Sequence, residues 1–132
     1  MFLSVDNICA IPLEKLPFSL FGLCLQEPMA LITNWLIAAT AFYLFSRMKI
    51  VENAFQFHWK KFYLFFGIST FFGGLGHLFF NYFDVFGKYP SWAFGILSAF
   101  HAGKAMISIH ILRRSIQRRL TYFLIFKGIV LG

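Results

Sequence analysis

Polar side chains recur at intervals of seven inside an otherwise apolar run from Phe62 to Asp84, FYLFFGISTFFGGLGHLFFNYFD. At about 100° per residue, Thr70, His77 and Asp84 lie nearly in line along a helix, with Gly73, Gly74 and Asn81 within about 60° of that line. Ile68, Phe72, Leu75, Phe79 and Phe83 fall on the far side. Polar side chains avoid lipid, so such a helix turns its polar seam toward protein and its aromatic flank toward hydrocarbon. The pattern predicts a transmembrane helix over about 62–83 with a protein interior beside it.

Three further helices follow from the same reading. Glu27-Pro28 starts the first, over about 28–46, because an acidic residue and a first-turn proline suit a helix amino end. Glu27, Ala30, Leu31, Asn34, Ala38 and Ala41 share its inward face, small residues that permit close packing around one amide. Tyr89, Pro90 and Trp92, interfacial anchors after the Gly87 turn, introduce a helix over about 91–112. Its most polar face carries Ser98, His101, Lys104 and Ser108, with His110 opposite. Residues 120–132 form a last apolar segment that includes Lys127. Thirteen residues fall short of the about twenty that an upright span needs, so the segment is expected to be a partial or truncated span whose remainder lies outside this chain. Residues 1–26, broken by Pro12 and Pro17 and carrying Asp6, Glu14 and Lys15, are expected to lie at the membrane surface or against the bundle. Cys9 and Cys24 both fall there, as a disulfide or as two buried thiols.

Composition strengthens this reading. The chain is 59% hydrophobic and only 13% charged, against the about 25% charged of ordinary soluble domains. A net charge of +7 would suggest nucleic acid in a soluble protein, but here the basic residues gather in connections. Arg47, Lys49, Lys60 and Lys61 join the first two helices, and Arg113, Arg114, Arg118 and Arg119 precede the last, whereas the second turn has only Lys88. The positive-inside tendency then puts the two basic connections in the cytoplasm and the amino terminus and Asp84 outside. Membrane lipids and other membrane subunits become the expected partners, and nucleic acid does not. The expected architecture is an all-α polytopic bundle of three full spans and a partial fourth, with residues 27–132 as one domain.

Depth gathers the polar residues. Asn34 and His77 each lie about 10 Å from the outer surface, Ser98 near the same level, and His101 a turn deeper. A polar pocket opening outward is expected from Glu27, Asn34, His77, Asn81, Asp84, Ser98 and His101. A simpler arrangement has His77 bonded to Asn34 or to a backbone carbonyl, with the glycines serving close packing. Ser69 and Thr70 can bond back to their own helix. Lys104, near midplane, can move ions, snorkel or pair within the bundle.

Glu27-Pro28 followed by Leu31, Thr33 and Asn34, then Gly73-Gly74-Leu75-Gly76-His77, resembles an uncharacterised family of bacterial multi-pass membrane proteins. That family is more remotely similar to the superfamily of alkaline ceramidases and progestin-and-adipoQ receptors. The resemblance, over roughly 27–112, implies a bacterial inner-membrane location and a seven-helix relative that uses serine, histidine and aspartate with a His-x-x-x-His pair around zinc. Ser69, His77 and Asp84 are the residues that could take the catalytic parts, with His77 as a zinc ligand. The chain has no His-x-x-x-His, and Asp84 follows the second helix where the superfamily places its aspartate on the third. Catalytic zinc normally takes three protein ligands plus water, and here only His77 is well placed. Haem or chlorophyll held between His77 and His101 would need the two at a common depth. Two functions stay open: a non-catalytic subunit or binding module of a membrane assembly, and the amino-terminal part of a metal-dependent hydrolase of lipid amides or esters.

Overall fold

The computed structural model describes residues 17–20, 23–49, 53–109 and 114–131. Strands β1 (Pro17–Leu20) and β2 (Leu23–Gln26) pair antiparallel, with Ser19 opposite Cys24. The helices follow: α1 (Pro28–Arg47), α2 (Ala54–Leu78), the single turn α3 (Phe80–Phe83), a 3-10 turn over Asp84–Lys88, α4 (Tyr89–Ile109) and α5 (Arg114–Leu131). The hairpin packs against α3 and the carboxyl end of α2, burying Leu25 there. Cys9 lies outside the described residues.

Helix α2 is the spine, with α1 on one side, α4 on the other and α5 against α4. Its partners run antiparallel to it: Trp35 stacks on Phe71, while Phe94 stacks on both Phe65 and Phe72. The fully buried positions of the helices are small. The buried helical residues are Ala38 and Ala41 on α1, Gly67, Ser69, Gly74 and Gly76 on α2, and Ser98 and Ala105 on α4. A Cβ on Gly67 would sit 2.9 Å from the Phe42 ring, and one on Gly76 would sit 2.8 Å from the Gly87 carbonyl oxygen. Large apolar side chains point outward: Met29, Leu36, Tyr43, Phe86 and Ile129 are each at least 60% exposed. Two segments, Pro28–Arg47 and Phe80–Ile109, are long and apolar enough to cross a membrane.

Three expected boundaries move. Helix α2 begins eight residues before Phe62, because the Asn53 side chain accepts from the Phe55 amide (2.9 Å) and so caps the helix upstream of Lys60 and Lys61. It stops at Leu78 instead of continuing to Asp84. The bulky aromatics and Asn81 beyond it are weak helix formers, and the chain turns back through Asp84, whose φ is 49°. Asn81 and Asp84 therefore leave the line that a continuous helix would share with His77. Helix α5 begins at Arg114, six residues before Leu120, so Arg118 and Arg119 belong to the helix and not to a connection. Arginine and glutamine are good helix formers, and no glycine or proline interrupts them. Its 18 residues measure about 27 Å, but with Arg118, Arg119 and Lys127 among them α5 is not one of the two segments apolar enough to cross a membrane.

Candidate functional site

Glu27 stands immediately before α1 in a left-handed conformation, φ 47° and ψ 58°. A non-glycine residue there carries a strain of roughly 1–3 kcal/mol, sustained only when the surroundings hold it. The backbone carbonyl of Glu27 accepts from the amides of Ala30 (3.0 Å) and Leu31 (3.3 Å), so the main chain starts the helix unaided by the side chain. The carboxylate is thereby released from capping and reaches α2, where Oε2 meets Nδ1 of His77. Glu27 and His77 retain 27% and 33% of their side-chain exposure, so the pair forms a part-open polar end to the bundle. A carboxylate bound to Nδ1 fixes the ring and leaves Nε2 as its outer face.

Asn34 sits about one turn deeper. Its Nδ2 donates to the Ala30 carbonyl (2.8 Å), and its Oδ1 lies 3.7 Å from where a Gly73 Cβ would be. Asn34 thus packs against the glycine seam and bonds within its own helix, while His77 takes Glu27 as its partner in place of the expected Asn34 or backbone carbonyl. Asn81 on α3 and Asp84 in the 3-10 turn belong to the same end of the molecule.

Ser98 and His101 lie elsewhere. His101 stacks on Phe65, twelve residues before His77 along α2 and so about 18 Å from it. Ser98 is buried one turn from His101, past the Phe94 that packs between Phe65 and Phe72. The depth estimate failed because the hairpin is folded back: Gly87 lies against Gly76, so α4 starts beside α2 and not beyond its end.

His101 instead faces His58, which lies between Lys49 and Lys60 in the expected first connection. The Nδ1 atoms of His58 and His101 are 3.0 Å apart, which needs one ring to donate and the other to accept. Both rings cannot hold two protons in that geometry. His58 precedes the apolar span that begins at Phe62, and burial, helped by the Lys104 ammonium, holds its pKa below the usual histidine value. The signal for His58 was Asn53, a capping residue ahead of the apolar FQFHW pattern.

Neither histidine pair makes a zinc centre. Among the described residues no group of three or more His, Cys, Asp or Glu converges, which does not fit the three-ligand set that catalytic zinc requires. His77 and His101 are also too far apart to hold one haem or chlorophyll between them. Ser69 gives its hydroxyl to the Ser91 carbonyl (2.7 Å), a bond between α2 and α4, and lies about 12 Å along the helix from His77. Thr70 bonds back to Phe66 (3.0 Å) and Gly67 (3.1 Å).

A family model matches residues 29–132, all of the helical part after Pro28. The chain belongs to DUF6962, a family of unknown function. No curated protein and no solved structure matches it. The matched DUF6962 region contains His77, Asn34 and both members of the His58–His101 pair, and starts two residues after Glu27.

Proposed function

We propose that this DUF6962 chain is an integral membrane protein acting as a non-catalytic subunit or binding module of a membrane assembly. One observation carries the reading: glycine, alanine and serine hold the fully buried helical positions, while many large apolar side chains are exposed. Water-soluble domains bury large residues, whereas helices in lipid associate through small ones because the exterior is already apolar. The polar feature such a module offers at its outer end is the Glu27–His77 pair beside Asn34. The basic residues of the first connection support an orientation with that end outside: Lys60 is tied to the Met48 carbonyl (2.8 Å) beside Arg47 and Lys49. Family resemblance and this charge pattern together suggest the inner membrane of a bacterium.

The hydrolase reading draws less from the geometry, since Ser69 is committed to the Ser91 carbonyl and far from His77. Extraction with alkaline carbonate tests the proposal. Retention in the membrane pellet is the expected result, and release as a water-soluble monomer overturns it. Zinc bound stoichiometrically to the purified protein, together with turnover of a lipid amide, would transfer the argument to the hydrolase.

A further inference from the structure

Helices α4 and α5 form an antiparallel pair whose outer side changes character along its length. Near their joined end a cleft of about 460 Å³ is lined by Lys104, Gln117, Arg118, Thr121 and Tyr122. Further along, a groove of about 530 Å³ is lined mainly by apolar residues, Leu97, Phe100, Leu124, Ile125 and Ile129 among them, with Lys127 as its one charged lining residue. Helical periodicity puts residues of both on one face of each helix. Leu97, Phe100 and Lys104 fall at intervals of three and four on α4, as do Arg118, Tyr122, Ile125 and Ile129 on α5. Lys104 and Leu97 are separated by about 10 Å along the axis.

The mouth of this groove is cationic. Lys104 gives one of its three ammonium donors to the Thr121 hydroxyl (3.2 Å), and Arg118 is exposed beside it. Among the described residues that line the cleft there is no carboxylate. Lys104 sits five residues before Ile109, the last described residue of α4, about 8 Å along the axis. From the expected midplane position its long stem lets the ammonium snorkel toward the headgroup level.

We propose that the α4–α5 groove is a binding site for one anionic phospholipid, with its phosphate at Lys104 and Arg118 and an acyl chain along Leu97, Phe100 and Leu124. Charge complementarity at the mouth selects the anionic headgroup, and the apolar groove distinguishes a lipid from free phosphate. The proposal rests on the membrane reading above.

The full-length protein, reconstituted in nanodiscs of equal phosphatidylglycerol and phosphatidylcholine and released for native mass spectrometry, provides the test. Wild type is expected to retain phosphatidylglycerol in preference. Lys104→Gln and Arg118→Gln should each lower that preference roughly fivefold. Arg119→Gln makes the same charge change about 100° away around α5 and should leave it intact. Equal losses from Arg118→Gln and Arg119→Gln would reveal diffuse electrostatics and overturn the site. Displacement of the lipid by millimolar inorganic phosphate would overturn the acyl-chain component. A carbonate-resistant protein with no preference sinks this site alone, whereas a carbonate-soluble one sinks the membrane reading itself.

Discussion

Glycine and charged residues make the sharpest demands at single positions. Replacing a mid-helix glycine by alanine ordinarily stabilises a helix by about 1 kcal/mol. At Gly76 the new methyl would meet the Gly87 backbone, with its carbonyl oxygen at 2.8 Å and its carbon at 3.1 Å. Neither atom can rotate away. Gly76→Ala is therefore expected to destabilise the protein by roughly 1–3 kcal/mol despite its better propensity. Gly95→Ala, whose nearest contact is the Ser69 hydroxyl at 3.3 Å, should cost markedly less. Thermal unfolding of both variants in one detergent checks the ordering, and an equal effect would contradict the close approach of the turn to α2. Glu27 and His77 make a different kind of demand, since both are partly exposed and solvent weakens their attraction. A double-mutant cycle with Glu27→Gln and His77→Ala should return a coupling of about 1 kcal/mol. A coupling near zero would mean that the left-handed backbone at Glu27 is held by something other than this contact.

Helices α2 and α4 carry the interaction most sensitive to acid. Proton binding to His58 is disfavoured in the folded protein by burial and by the nearby Lys104. The unfolded chain therefore takes up the proton first as pH falls below the ordinary histidine value. Stability should be constant well above that value and decline as pH drops through and below it. His58→Asn, which keeps a hydrogen-bonding group near the Nδ1 position without a titration in this range, should flatten the decline between pH 7.5 and 5.5. An unchanged slope would place the sensitivity elsewhere. The existence of α1, α2 and α4 was legible from apolar runs and from Pro28 and Pro90, because hydrophobic length is a property of the sequence itself. Their ends were harder. Lys60-Lys61 and Arg118-Arg119 looked like borders, yet long basic side chains continue a helix readily, and only Asn53 announced the true start of α2. The Glu27–His77 contact was half visible: both residues belonged to the expected polar pocket, but the depth count set His77 level with Asn34 and left Glu27 at the surface. His101 was misplaced because its depth is counted inward from Ser91 as if that residue stood level with Asp84, and nothing local to the sequence reveals that the Asp84–Lys88 turn lies back against Gly76.

Across the whole molecule, the arrangement of residue sizes decides what solvent the fold expects. Leu36 and Tyr43 on α1 and Tyr122, Phe126 and Ile129 on α5 are all at least 60% exposed, on the two helices that flank the α2–α4 pair. In water each such face would be an aggregation surface. In a bilayer the same faces meet acyl chains at no cost, and the packing of α2 between its neighbours through glycine and alanine provides the association. This distribution makes a polarity prediction that stability measurements on soluble proteins would reverse. A lysine at Ala41, buried against α2, and a lysine at Leu36, on the outer face of α1, should both be harmful if the surroundings are hydrocarbon. If the surroundings are water, Leu36→Lys should be tolerated or improve solubility, while Ala41→Lys alone should be disruptive. Insertion efficiency and detergent-solubilised yield of the two variants, set beside Leu36→Ala as a size control, separate these cases. The expected outcome is loss of insertion for Leu36→Lys of roughly 2.5–3.5 kcal/mol on an insertion scale near the helix centre, with Leu36→Ala close to wild type. A soluble, well-folded Leu36→Lys protein would mean that the outward apolar faces belong to a protein interface in water and not to lipid.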